Sequence, residues 1–381
     1  MASKRPVRVA EIIRRAEGGM REHYLTLVKG LAEMGFEVLA ACNFSSQTMK
    51  ELEDKGAEIY RFELEDDVNL FSDIREIFCL YRKIKMFRAD VVHCHGFKAG
   101  LTGRIAAFFA KCPSVYTVHN FMPQSAVTGI RLVVLRFIER ILTVGTYKVI
   151  TVSQALKDEM TGKLGLPCDM IKVVRNGIAP LTQSVGVDVR KQWGIPDDCI
   201  LVGCIARLVP SKGLNYLIDA MPSIVEIKPD IMLLIAGDGP ILQALKNQVR
   251  ALRLEEKVIF TGFIDNAADY LSTFDIFILP SLKEGLGISI IEAMMAGKPV
   301  IASRTGGIPE VISDNVTGRL IKPGDSDEIK EALLSVVENP ESMKAYAENG
   351  RKHAMENFGL QAMMSATAQI LIGATEGCSD I

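Results

Sequence analysis

The chain has almost no net charge. Its 44 Lys and Arg nearly balance its 46 Asp and Glu, leaving a formal charge of −2. That balance argues against nucleic-acid binding driven by bulk charge. The eight cysteines are scattered, with neither a disulfide framework nor the CxxC spacing of a zinc site. No apolar run approaches the about 20 residues needed to span a bilayer. The segment Ile130–Leu142 comes nearest, but Arg131, Arg136, Glu139 and Arg140 interrupt it. No low-complexity tract, short repeat or signal peptide is visible. A cytoplasmic setting is therefore expected, with the inner face of the membrane as a further option.

What is present is ordinary for a globular α/β protein: 48% hydrophobic and 24% charged residues over 381 positions. That length favours two domains over one core. The most informative stretch is Ser281–Ser303. It follows the apolar run 274–280, bounded by Pro280, which reads as a buried strand. Gly285 and Gly287 make a tight turn, residues 288–296 have helical spacing, and Val300 opens the next strand. Ligands of open parallel sheets bind at such turns, beyond the carboxyl ends of the strands. The first amides of a helix lack partners and carry partial positive charge, so Gly287, Ile288 and Ser289 suit a phosphate. Glu284 precedes the turn, and Glu292 leans back towards the helix start. Carboxylates beside a phosphate cradle suit a ligand that is anionic at one end and rich in hydroxyls elsewhere, as a sugar nucleotide is. The plainer reading makes both glutamates solvated helix-end residues.

Similar units recur along the chain. Residues 7–13 read as a strand, followed by a loop with Gly18 and Gly19, a helix to about Met34, and a strand at 38–41. A bare Gly-Gly is a weak phosphate signal and does not match GxGxxG. Residues 89–95 form a strand on which His93 and His95 share one face. They read as structural or substrate-lining, because no further metal ligands can be placed beside them. His119 ends the strand 114–120, where sheets of this class bind ligands. His23, on the first helix, reads as a packing or capping residue. Residues 126–145 read as a long helix with Arg131, Arg136 and Arg140, and Tyr81–Arg88 is a second basic cluster. Both suit either an anionic membrane or packing with a wet face, and packing is the expectation.

Residues 178–198, with Pro180, Gly186, Gly194 and Pro196, read as an interdomain linker. A new α/β series starts at Ile200. The loop after it carries Arg207 and Lys212, a fork of donors and a point charge that suit one diphosphate. The alternative is a solvated basic loop. Strands at 232–236 and 258–263 end in glycine turns. Asp325-Ser-Asp327 matches Asp-x-Asp but opens a helix, so Asp325 with Glu328 reads as a cap.

Taken together, Arg207-Leu-x-x-x-Lys-Gly213, Glu284 to Glu292 and Thr305-Gly-Gly-Ile-Pro-Glu310 resemble the signature of glycosyltransferase family 4, retaining enzymes of the GT-B fold. The resemblance covers nearly the whole chain. It implies two doubly wound, Rossmann-like parallel-sheet domains facing across a cleft. Residues 1–178 would bind the acceptor, with a last helix at about 358–381 packing back on them. Residues 199–357 would bind a UDP- or GDP-hexose donor. It implies roles for Arg207 and Lys212 at the diphosphate, Glu284 at the sugar hydroxyls, Glu292 at the ribose and His119 at the reacting sugar. Gly19, Gly287, Ile288 and Ser289 would meet the donor, and Gly262 and Phe263 its base, although Phe263 also reads as core. No metal is expected. The segment Asn176-Gly177-Ile178-Ala179 departs from the family's Asn-Gly-Val-Asp. The expected function is sugar transfer in cell-surface polysaccharide or glycolipid synthesis, with a sugar, lipid-linked or small-molecule acceptor. The rivals are a sugar-nucleotide epimerase and a non-catalytic nucleotide-sugar-binding protein.

Overall fold

The computed structural model describes residues 5–64, 70–122, 128–182 and 187–376. The chain divides into two compact units, residues 1–177 with 360–381, and residues 178–359.

The first domain is a seven-stranded parallel sheet of order β3-β2-β1-β4-β5-β6-β7. Its strands are β1 (Arg8–Ile13), β2 (Glu37–Cys42), β3 (Glu58–Arg61), β4 (Val91–His95), β5 (Ser114–Val118), β6 (Thr146–Thr151) and β7 (Ile171–Val173). Between them run α1 (Gly19–Glu33), α2 (Ser46–Asp54), α3 (Leu70–Phe87), α4 (Phe97–Ala110), α5 (Gly129–Leu142) and α6 (Gln154–Gly162). Val9 and Ile13 of β1, Leu27 and Leu31 of α1 and Val115 of β5 belong to one buried cluster. Parallel strands buried on both faces need such near-continuous apolar runs.

The second domain is a six-stranded parallel sheet of order β10-β9-β8-β11-β12-β13. Its elements are α7 (Val189–Trp193), β8 (Ile200–Ile205), α8 (Leu214–Ile227), β9 (Ile231–Ala236), α9 (Leu242–Ala251), β10 (Val258–Gly262), α10 (Ala267–Thr273), β11 (Ile276–Leu279), α11 (Ile288–Met295), β12 (Val300–Ser303), β13 (Arg319–Ile321), α12 (Ser326–Glu338) and α13 (Pro340–Asn357). The last helix, α14 (Leu360–Glu376), belongs to the first domain, where Met363, Met364 and Leu371 join its core.

Two expectations change. The stretch read as a linker carries a short helix, α7, anchored in the second domain by buried Val189 and Ile195, while most of its other described residues are exposed. The Ile178 amide donates to Phe358 O at 2.9 Å. Asp188 caps α7 through the Lys191 amide at 3.0 Å, and Arg190 reaches Asp275 at 2.9 Å. Gly194, in the left-handed region at φ 63°, stops that helix. The glycines and prolines had been weighed as breakers, whereas here they bound a short helix. Gly186 lies outside the described residues.

The second change concerns α5, expected to be a packing helix. It buries only Leu135 and Glu139. Leu132, Ile138 and Leu142 are half-buried on the same side, while Ile130, Val133, Val134, Phe137 and Ile141 are exposed. Glu139 is held by Arg104 in a bidentate pair at 2.9 and 2.8 Å, with both side chains 1% exposed. The Arg104 guanidinium also lies 4.3 Å from the centre of the Tyr116 ring. The Arg104–Glu139 pair and the stripe Leu132, Leu135, Ile138 and Leu142 lie on the inward side of this helix.

Candidate active site

In the second sheet β8 lies between β9 and β11, and the strand order reverses between β8 and β11. Loops leaving such a switch point diverge and open a crevice for ligands. Here they are 206–213 after β8 and 280–287 after β11. The two are stitched together, since the Leu282 amide donates to Ser211 O at 2.8 Å. Gly213 sits at φ +62°, and a Cβ there would come within 2.2 Å of Pro280 O. Only glycine permits this approach, which gives the Lys-Gly pair its physical meaning. The loop after β12 joins them. The Gly307 amide donates to Glu284 O at 3.1 Å, and Thr305 Oγ1 donates to Leu282 O at 3.1 Å.

The side chains follow from this lacing. Lys212 Nζ donates to Glu284 Oε2, and Ser281 Oγ donates to the same oxygen at 3.1 Å. Both partners of the ion pair are largely covered, with side chains 20% and 10% exposed. Lys212 and Glu284 were expected to serve different ends of one ligand; here they hold each other. Sequence reasoning missed Ser281, which is fully buried. Just beyond, Gly287 adopts φ 93° and starts α11 with no side-chain cap. The amides of Ile288 and Ser289 open that helix, which suits an anion. Glu292 is half-buried one turn further on, and Arg207 is exposed on the β8 loop. Gly262 accepts from the Gly237 amide at 2.8 Å and ends β10. Phe263 is 66% exposed, so it is not core; it stands as a bare aromatic face at a strand end. Asp325 caps α12 through the Glu328 amide at 3.1 Å, while the Glu328 carboxylate turns to the Lys322 amide at 2.9 Å. The capping box is thus half closed.

The first sheet has its own switch point, between β1 and β4. Four of the chain's five histidines gather beside it, all buried. The partners that could not be placed beside His93 and His95 are Glu11 on β1, His23 on α1 and His119 beyond β5. Glu11 Oε1 meets His93 Nδ1 at 3.0 Å, and Oε2 meets His95 Nε2 at 2.7 Å. His93 Nε2 meets Thr117 Oγ1 at 2.7 Å, and His95 Nδ1 meets His119 Nε2 at 3.1 Å. The His23 ring stands edge-on to His119 with centroids 4.7 Å apart. Gly19, the first residue of α1, lies four residues before His23. The α1 helix also opens with no side-chain cap, after Gly18 at φ 62°.

The tautomers follow from the donor count. Burial first, then neighbouring imidazoles, hold His95 and His119 well below the ordinary histidine range. Burial, then His93, lowers His23 to about 4. These rings are neutral at pH 7 and carry one N–H each. A carboxylate only accepts, so His95 gives its N–H to Glu11 from Nε2. Its Nδ1 is then an acceptor, and His119 must donate to it from Nε2. His119 Nδ1 is left with a bare lone pair. It is buried, and among the described residues no hydrogen-bond partner reaches it. The chain Glu11–His95–His119 thus leaves His119 Nδ1 as an acceptor. His23, His95 and His119 each place a ring nitrogen within 4.8 Å of the others, a spacing an ion also accepts. His95 Nδ1 and His119 Nε2 are, however, already joined by their hydrogen bond. Glu11 was legible in retrospect, because a carboxylate inside an apolar strand must find partners when buried. Asn176 Oδ1, His23 Nδ1 and Thr151 Oγ1 are further buried polar atoms of this domain with no partner among the described residues.

Comparison with known proteins agrees with both halves. The family described as Glycosyltransferase Family 4 matches residues 17–180, and Glycosyl transferases group 1 matches residues 188–353. An uncharacterized glycosyltransferase of Methanocaldococcus jannaschii is 29% identical over 291 residues, 74% of each chain. UDP-Gal:alpha-D-GlcNAc-diphosphoundecaprenol alpha-1,3-galactosyltransferase of Escherichia coli is 28% identical over 85% of this chain and 86% of its own. The fold matches the crystal structure of Anabaena HepE in complex with UDP and glucose, with a TM-score of 0.84, 23% identity, and 96% of this chain and 100% of that one covered. Two parallel-sheet domains, each matched by its own model, and relatives named for sugar transfer establish that this chain is a GT-B-fold glycosyltransferase belonging to family 4, the glycosyl transferases group 1.

Proposed function

We propose that the protein is a retaining hexosyltransferase that takes a UDP- or GDP-linked sugar and delivers it to an acceptor hydroxyl without a catalytic metal. The observation carrying this reading is the laced loop set at the β8/β11 switch. It holds Lys212 against Glu284 beside the uncapped start of α11, with Arg207 on the same loop. A diphosphate competes with Glu284 for Lys212 and accepts from the amides of Ile288 and Ser289. Glu284, released from Lys212, accepts from hydroxyls of the transferred sugar. Glu292 takes the ribose, and Phe263 offers its face to the base.

As the bond from anomeric carbon to phosphate breaks, charge grows on the leaving diphosphate. Fixed positive groups at that phosphate lower the barrier, each by about 2–4 kcal/mol by analogy with oxyanion donors. The acceptor hydroxyl bonds to the anomeric carbon on the face the diphosphate leaves, and its proton passes to the leaving phosphate. His119 Nδ1 accepts from a sugar hydroxyl and orients the ring. Acceptor binding is assigned to the first domain. The E. coli relative is named for a diphosphoundecaprenol acceptor, which favours a lipid-linked acceptor in cell-surface polymer or glycolipid synthesis at a membrane surface.

A panel of nucleoside diphosphates and sugar nucleotides in a thermal-shift assay tests the donor, because binding to the native state alone raises the melting point. One UDP- or GDP-sugar should stand out, and turnover should survive EDTA. A strict manganese requirement would overturn the metal-free mechanism. Release of an epimer or free sugar without acceptor would favour an epimerase.

A further inference from the structure

The first domain turns an apolar surface outward. On α5, Ile130, Val133, Val134, Phe137 and Ile141 are all exposed, Ile130 by 74% and Phe137 by 66%. At 3.6 residues per turn these five fall within an arc of about 100°. The arc lies opposite Leu135 and Glu139, the buried anchors of the helix. Arg131 flanks it on one side, Arg136 and Arg140 on the other, and all three are exposed. The only acid on α5 is Glu139, which is buried against Arg104. The exposed face of this helix therefore carries arginine and no carboxylate.

A second helix repeats the pattern. Phe71, Ile74 and Phe78 of α3 form one exposed line, continued towards the C-terminus by Arg82 and Lys85. Asp73 of α3 is turned aside to Lys98 at 3.1 Å. The connections β3 to β4, β4 to β5 and β5 to β6 all step the same way across the sheet. Right-handed crossovers then put α3, α4 and α5 on one side of it. Phe108 and Phe109, at the end of α4 between them, are exposed as well.

We infer that this face of the first domain docks on an anionic lipid bilayer, with the apolar line of α5 at the headgroup boundary and its arginines at lipid phosphates. Apolar residues in a narrow arc with flanking arginines are the pattern of helices lying in a membrane interface. A second copy of the chain fits less well. A two-fold contact would set α5 against α5 and bring arginines together with no exposed acid on the helix to neutralise them. The inference deepens the reading of a membrane-surface acceptor, but vesicle binding tests it without any acceptor.

The test is co-sedimentation of the full chain with vesicles of phosphatidylcholine alone and of phosphatidylcholine with phosphatidylglycerol. The protein should bind the anionic vesicles and ignore the neutral ones, and binding should weaken with added salt. The Arg131→Ser, Arg140→Ser double variant should bind roughly thirtyfold more weakly, each basic residue near such a surface being worth about a factor of five. Phe137→Asp should weaken binding through the apolar face. All these positions are exposed, so melting temperature and UDP-sugar binding should match the parent. Equal binding by parent and variants, or none by the parent, would overturn the inference. So would light scattering that finds a dimer dissolved by Phe137→Asp. A parent that binds UDP-sugar but no vesicle fails here alone, whereas one that binds vesicles but no sugar nucleotide fails only as a donor-dependent enzyme.

Discussion

The two domains each gather polar side chains at the switch point of a parallel sheet, yet they manage charge in opposite ways. In the second domain the charges are kept. Lys212 and Glu284 pair at a part-covered surface, beside an uncapped helix start. At the first domain's switch point Glu11 stands among imidazoles, and burial holds His23, His95 and His119 below the ordinary histidine range. A migrating negative charge calls for fixed cations, while a neutral hydroxyl calls for an aligned lone pair. On the proposed reading, one topology supplies two kinds of recognition, chosen by how deep the polar groups lie.

The strongest way to break this comparison is Arg207→Ala with Lys212→Ala. Removing two charged donors should lower donor turnover by about a thousandfold or more, measured with saturating sugar nucleotide. Near-normal turnover would remove the second domain's charges from the mechanism. Next comes Arg104→Ala, which strips the partner from Glu139. An uncompensated buried carboxylate costs about 3–5 kcal/mol, readable as a lower urea midpoint. Replacing both partners with apolar residues of similar volume should restore most of that stability.

The neutral cluster predicts a pH effect on stability. Histidine protonates near 6.5 when unfolded, while folded His23 waits until about 4. Between those values the unfolded chain binds the extra proton, so stability falls as pH drops and is fully present above about 6.5. His23 alone accounts for roughly 3 kcal/mol of that fall. His23→Asn should flatten the profile over this window; an unchanged slope would show that His23 is not buried neutral.

Glu11→Gln sharpens the tautomer argument. Its amide can no longer fix the His95 N–H, so His119 loses its prepared lone pair. Donor kcat/KM should fall about 10–100-fold, the loss for one mismatched buried hydrogen bond, while UDP alone should bind as before. An effect of similar size belongs to Phe263→Ala. Loss of a stacking face should weaken the nucleoside diphosphate by about 1–3 kcal/mol. A variant that bound UDP and GDP as well as the parent does would return Phe263 to the ordinary surface.

Much of the fold was legible before the structure. Buried parallel strands such as Ile231–Ala236 need unbroken apolar runs, and glycines mark where the strands turn. The loop motifs were legible too, because Gly213, Glu284 and Gly287 lie close to their partners in sequence or in matched loops. The histidine cluster was harder. His93 is on β4, His119 follows β5, and Glu11 is on β1. A reading in sequence distance cannot tell that strand order puts β1 beside β4. The same limit explains α5. Its apolar residues repeat at helical spacing, and spacing alone says that they share a face, not which way the face points.

By itself the sequence determined two α/β series, the glycine-bounded turns and the basic and acidic residues that occupy them. These are local properties, set by periodicity, backbone freedom and side-chain chemistry. Tertiary structure decided the rest: that Glu11 aligns His95 and His119, that Lys212 rests on Glu284, and that Arg104 meets Glu139 on the inward side of α5 while a second apolar face stays exposed. Each of these depends on bringing together residues far apart in the chain. The deciding energy is the cost of burying a polar group without its partner, and that cost exists only once the chain has folded.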